Sequence, residues 1–165
     1  MALTRKRLRQ LLRYDPETGL FYWMKRTSNR AKVGAVAGCK CKKHGYILIG
    51  IDGVVYPAHR LAWFYMHNVW PEYQIDHANC VRDDNRATNL RECSHAENHM
   101  NVKRPAHNTS GFKGVHYHPQ SGKWRARIAA SKRHISLGLH KTKEDAHAAY
   151  CRAAEKLHGD FARFQ

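Results

Sequence analysis

Residues 74–101 read QIDHANCVRDDNRATNLRECSHAENHMN, and the order of residue types in this stretch decides the fold. Gln74-Ile75-Asp76 predicts a short strand that delivers Asp76-His77 at its end. Asp83-Asp84-Asn85-Arg86 is a run of turn formers, because Asp and Asn side chains bond their own backbone. Asn89–Cys93 predicts a second strand. Ser94-His95-Ala96-Glu97 has the S-x-x-E form, in which serine and glutamate side chains satisfy the first amides of a helix reciprocally. The stretch therefore reads strand, loop, strand, helix. Folded back on itself, it would set Asp76 and Asn98 face to face, with His77 alongside.

Upstream, apolar residues at 3, 8, 11 and 12 predict a short basic helix over Leu3–Arg13, capped by Thr4. A turn at Tyr14–Gly19 precedes a strand at Leu20–Trp23, and Gly34–Gly38 reads as loop. Tyr46–Ile49 and Val54–Tyr56 predict a hairpin turning at Asp52-Gly53. Pro57–Asn68 predicts a helix with proline in its first turn and Leu61, Phe64 and Tyr65 inward. Downstream, residues 101–110 (NVKRPAHNTS) read as linker. Three strands at Phe112–His118, Lys123–Ala129 and His134–Leu139 follow, then a helix over Thr142–His158. Its apolar stripe is Ala146, Ala149, Tyr150, Ala153 and Leu157. No internal repeat is present.

The chain has 165 residues and a formal charge of +16. Residues 1–50 hold 12 basic and 2 acidic side chains, residues 51–100 hold 4 and 7, and residues 101–165 hold 13 and 4. Two basic flanks, with aromatics interleaved (FYWMKR, KWRAR), bracket an acid-containing centre. Such flanks suit a polyanion, and carboxylates held against phosphate call for an intervening cation. No apolar run approaches the ~20 residues of a membrane span. The cation-broken N-terminus is unlike a secretory signal, which predicts a soluble intracellular protein with its five cysteines reduced. With 42% hydrophobic residues and 17 aromatics, intrinsic disorder throughout is excluded.

The central residue types suit phosphodiester hydrolysis. A carboxylate (Asp76) and an amide oxygen (Asn98) can hold a hard cation such as magnesium or manganese. A neutral imidazole (His77) can take a proton from attacking water. An amide at Asn89 can hold that imidazole in orientation. His95 shares a helix face with Asn98, whereas His99 is rotated by about 100°. A set of Asp76 with His95 would accept softer metals. His59 reads either as a support to the site or as a packed histidine, and Asn101 as a cap. Cys39-x-Cys41, Cys80 and Cys93 lack paired Cys-x-x-Cys spacing, which argues against structural zinc.

The strings I-D-H, D-N-R-x-x-N-L-R and E-N-x-x-N resemble the HNH (ββα-metal) nucleases, closest to phage and intron homing endonucleases with H-N-N in place of H-N-H. Gly45-Tyr46, Asp52-Gly53, His59–Trp63 and the Tyr14–Leu20 turn share the resemblance, which covers about residues 3–103. It implies Asp76 and Asn98 as metal ligands, His77 as general base, and Asn89 as the residue that orients it. Gly111-Phe-Lys-Gly-Val, Gly-Lys-Trp124-x-Ala-x-Ile, Leu-Gly and Thr142-x-x-x-Ala-x-x-Ala-Tyr resemble the APETALA/ethylene-response-factor DNA-binding domain. That resemblance implies a sheet presented to the major groove, with Lys113, His116, Trp124, Arg125 and Arg127 toward DNA. Trp124 reads equally as a core aromatic. Arg can grip guanine bidentately, while Lys and His mostly meet phosphate.

The expected architecture is α+β. A ββα-metal nuclease domain (1–103, core 74–101) precedes a linker (104–110). A small three-stranded antiparallel sheet packed on one helix (111–165) follows. The expected activity is metal-dependent, site-specific cleavage of double-stranded DNA by a monomer, possible as nicking, in a host cytoplasm. Two rivals remain open: a non-catalytic DNA-binding regulator with a vestigial nuclease half, and an RNA-binding accessory protein.

Overall fold

A computed structural model describes residues 3–29, 31–100, 108–130, 133–162 and 164. Residues 101–107, which hold Asn101 and much of the expected linker, lie outside them. The chain divides into two compact units, Met1–Cys93 and Ser94–Gln165.

In the first unit, helix α1 (Arg5–Leu11) starts where Thr4 Oγ1 accepts from Arg7 N at 3.2 Å. Its Leu8 and Leu11 are buried. The helix is shorter than its apolar pattern suggests. Leu12 turns extended and opens strand β1 (Leu12–Tyr14), antiparallel to β2 (Phe21–Trp23). The intervening turn is built on Asp15, whose Oδ1 accepts from Glu17 N at 3.0 Å and Thr18 N at 3.3 Å.

Strands β3 (Cys39–Lys40), β4 (Ile47–Ile51) and β5 (Val54–Pro57) form an antiparallel sheet in that order. The β4–β5 turn places Asp52 at φ 49° and Gly53 at φ 81°, the two left-handed residues that a tight hairpin needs. Helix α2 (Ala58–His67) follows Pro57 and ends at Asn68, whose left-handed backbone stops it. Leu8, Leu11, Leu12, Phe21, Ile49, Ile51 and Leu61 form the core of the unit. Burying each such side chain contributes roughly 1.5–3 kcal/mol, so this cluster anchors what it touches. Strands β6 (Gln74–His77) and β7 (Leu90–Cys93) pair antiparallel on its border, with Ile75 and Leu90 pointing into the core.

The second unit opens with helix α3 (His95–Met100). Its cap is the reciprocal one: Glu97 N donates to Ser94 Oγ at 3.3 Å, and Ser94 N donates to Glu97 Oε2 at 2.8 Å. Strands β8 (Val115–His118), β9 (Lys123–Ala130) and β10 (Arg133–His140) form a sheet in the order β10-β9-β8. Helix α4 (Lys143–His158) packs on it and is capped by Thr142, which accepts from Asp145 N at 3.1 Å. Ala126 and Ile128 point toward α4, where Val115, Ala146, Tyr150 and Ala154 are also buried. Small residues on α4 let helix and sheet approach closely. At Gly114 the approach is tightest, since the Tyr150 ring fills the space a Cβ would need. The architecture is α+β, as the sequence predicts.

Candidate active site

The β6–β7 ladder sets the first two site residues. Asp76 stands opposite Arg91, and His77 opposite Leu90. Asp76 is buried and accepts from Arg91 Nε at 2.9 Å and Nη2 at 2.8 Å. A carboxylate out of water needs such a partner, because an unpaired buried charge is strongly unfavourable.

The loop between the strands carries the remaining polar residues of this unit. Asn79 N donates to Asn89 Oδ1 at 3.0 Å, and Asn89 Nδ2 donates to the Asp84 carbonyl at 2.7 Å. Asn79 Nδ2 reaches Asp84 Oδ2 at 2.7 Å, and Arg86 Nε reaches Asp84 Oδ1 at 2.8 Å. The Arg86 guanidinium, first among its partners, holds the Asp84 carboxyl down to about 2. Asn89 thus ties the two ends of the loop together. The hydrogen bonds of its amide go to the loop, and its carbonyl accepts from Ala78 N, next to His77, at 2.9 Å.

A partner of the ring is Asn85, which in the sequence looks like a turn residue. Asn85 Oδ1 lies 3.1 Å from His77 Nε2, and both residues are buried. The His59 ring meets His77 edge-on at 5.2 Å between centroids, and Tyr46 lies 4.9 Å from His59 and 5.9 Å from His77. Burial pushes the His77 imidazole below its ordinary value; the hydrogen bond to Asn85 and the carboxylates of Asp76 and Asp84 oppose that shift without reversing it. A ring held below its usual range is neutral at physiological pH, the state in which it can accept a proton. Burial, and secondarily His77 and Arg60, push His59 down to about 3. Its buried Nδ1 has no hydrogen-bond partner among the described residues.

Asn98 and His95 lie on α3, in the second unit; Asn98 is half-buried and His95 exposed. The side chain of His99 lies outside the described residues. On the sheet of that unit, Arg125 and Arg127 point away from α4, with His116 directly opposite Arg125 and Ser136 opposite Arg127. Partial burial first, then the two guanidinium groups, lower the His116 imidazole. Lys113 is half-buried ahead of β8. Trp124 alternates with Arg125 and so falls on the other face, packed with Phe112, Leu137 and Ala149 against the core. The strand's two-residue period gives that side chain to packing and corrects its expected place on the DNA-facing side.

Two family models match successive stretches of the chain. The family model for HNH endonucleases matches residues 56–100, and that for the AP2 domain matches residues 110–160. Over 93 residues the chain is 33% identical to Protein 3.8 of Escherichia phage T7, covering 56% of this chain and 76% of that protein. This chain belongs to the HNH endonuclease family. Its HNH match is followed by an AP2 DNA-binding domain, the sheet-and-helix unit described above. No solved structure matches the chain.

HNH nucleases generally use divalent metal ions. Among the described residues no three His, Cys, Asp or Glu side chains gather into a metal-binding group. Of the expected ligands, the first unit holds Asp76, a hard carboxylate one oxygen of which accepts from Arg91. That fits an ion of the magnesium type, which takes one or two protein oxygens and completes its shell with water and substrate phosphate. Among the described residues, no helix is long and apolar enough to cross a membrane.

Proposed function

We propose that this HNH protein is a metal-dependent, site-specific DNA endonuclease of the homing type. The observation that carries the reading is the buried Asp76-His77 pair at the end of β6, its imidazole kept neutral and held by a second buried side chain. His77 would take the proton from the attacking water, since a neutral imidazole offers a lone pair that can accept it. Asp76, with Asn98 of α3, would hold magnesium or manganese, which when bound neutralises a phosphate oxygen and the departing 3′-oxygen. Arg91 holds the Asp76 carboxylate in place until the ion is present. Asn89 keeps the loop closed around the pair.

The AP2 domain would supply the address, with Arg125 and Arg127 at base edges and Lys113 and His116 at phosphates. One such site in a monomer most simply nicks one strand of duplex DNA, in the host cytoplasm if the protein is phage-encoded. The test is a supercoiled-plasmid assay with magnesium, with manganese and with EDTA, on the wild type and on His77→Ala. Metal-dependent relaxation lost in His77→Ala supports the reading. Binding without any cleavage would leave a DNA-binding regulator, a reading to which the internal neutralisation of Asp76 by Arg91 lends support.

A further inference from the structure

His77 is restrained on its backbone and on its ring by different devices. Cys80 N donates to the His77 carbonyl at 2.7 Å, and Ala78 N donates to the Asn89 carbonyl at 2.9 Å, so the chain either side of the ring is pinned. What remains to be set is the rotation of the imidazole and the nitrogen that carries its proton. Asn85 Oδ1 meets one ring nitrogen, Nε2, at 3.1 Å. Its Nδ2 is turned toward the Asp83 carbonyl at 3.5 Å, which presents the amide oxygen to His77.

We infer that Asn85 is the positioning residue for the His77 base, and that the Tyr14–Gly19 turn is the brace that holds Asn85. The inference rests on the reading of His77 as general base. An amide oxygen can only accept, so the nitrogen facing it, Nε2, carries the proton of the neutral ring. The lone pair is thereby left on Nδ1, the nitrogen that takes the proton from water. Asn85 is 2% exposed, and its own place is set from outside its loop. The Tyr14 hydroxyl donates to the Asn85 carbonyl at 2.7 Å in a buried bond, and Ala87 N donates to the Pro16 carbonyl at 2.9 Å. Gly19, at φ +74°, lies so close that a Cβ would collide with the backbone of Asn85 and Arg86. Tyr14 is in turn wedged against Phe21, at 4.9 Å between ring centroids, and Tyr65, at 5.8 Å. Tyr14, Pro16 and Gly19 all precede the region matched by the HNH family, 56–100.

The experiment uses the full chain, metal-free, with ¹⁵N-histidine, at pH 8, where an imidazole is neutral. Two-bond ¹⁵N–¹H spectra read the tautomer, and the His77 signals are assigned by their loss in His77→Gln. The wild type should show a proton on Nε2 and a lone pair on Nδ1. Asn85→Leu should lose that preference and lower kcat roughly 10–100-fold with KM unchanged, the usual cost of removing a partner that orients a histidine. Asn85→Asp keeps an acceptor oxygen and should restore the Nε2–H form. Tyr14→Phe keeps the ring and removes only the bond to Asn85; it should mix the tautomers and lower kcat less, which decides the matter if Asn85→Leu does not fold. A wild-type ring protonated on Nδ1 overturns the inference. So does a folded Asn85→Leu or Tyr14→Phe protein with wild-type tautomer and kcat. If the wild type cleaves no DNA, the nuclease reading fails, while the tautomer change in the variants still supports the brace.

Discussion

Arg91 donates two hydrogen bonds to one oxygen of Asp76, from Nε at 2.9 Å and Nη2 at 2.8 Å, across the rung of the ladder where the two residues stand opposite each other. The pair gives a buried carboxylate an opposite charge to face. Removing the cation alone leaves that charge behind, and removing one partner of a buried pair costs far more than the pair itself is worth. Arg91→Leu should therefore destabilise the protein by about 2–4 kcal/mol. Magnesium should return part of that loss, because an ion that binds only the folded state stabilises it. Thermal unfolding in EDTA and in magnesium checks both parts, and the gain from magnesium should be larger in Arg91→Leu than in the wild type.

His77→Ala should lower the cleavage rate by ~10²-fold or more, the contribution of a general base, while duplex affinity changes little. Single-turnover cleavage and a filter-binding titration on the same preparation separate the two. A variant that cleaves at the wild-type rate would take the base away from His77.

Stability should fall with acid because of His59. Its folded pKa is pushed down to about 3, below the unfolded value near 6.5, so the fold prefers the neutral ring. That contribution is fully present above pH ~6.5 and is lost as pH falls from there toward ~3. The slope is at most about 1.4 kcal/mol per pH unit. His77, shifted in the same direction, adds to it. Urea unfolding between pH 4 and 8 should show the decline, and His59→Phe should flatten it.

Trp124 and Arg127, three residues apart on β9, should respond to truncation in opposite ways. Trp124→Ala removes core contacts with Phe112 and Leu137 and should cost about 2–4 kcal/mol of stability. Arg127→Ala lies on the open face and should leave stability nearly unchanged. It should cost ~1–3 kcal/mol of specific DNA binding if it grips a base edge. Chemical denaturation and competition binding tell the two apart.

What was legible in the sequence was local. The Asp52-Gly53 turn, the proline start of α2 and the caps at Thr4 and Ser94 each depend on neighbours a few residues away, and the backbone forms where those residues say it should. Strand β1 was hidden because Leu11 and Leu12 continue a helical spacing; only pairing with Phe21–Trp23 makes Leu12 extended. Strand β3 was hidden because two exposed residues carry no alternation. Asp76 and His77 could be read from their spacing to Asn89 and Asn98. Asn85 could not, because a polar residue in a polar loop looks like a turn, and what distinguishes it is a hydroxyl 71 positions earlier. The signal was present in the Tyr14–Leu20 string, which had no evident purpose until its partner in the loop was known.

The contact of Gly19 with the loop bears on how the protein can be cut down or borrowed from. A fragment spanning residues 56–100 would contain Asp76, His77, Asn85, Asn89 and Asn98, yet it would lack the tyrosine hydroxyl and the bare glycine against which its loop is seated. The motif is therefore not a portable part. A fragment that keeps this loop seated must begin before Tyr14, and a motif grafted into another scaffold needs a hydroxyl donor and a glycine supplied at the same two points.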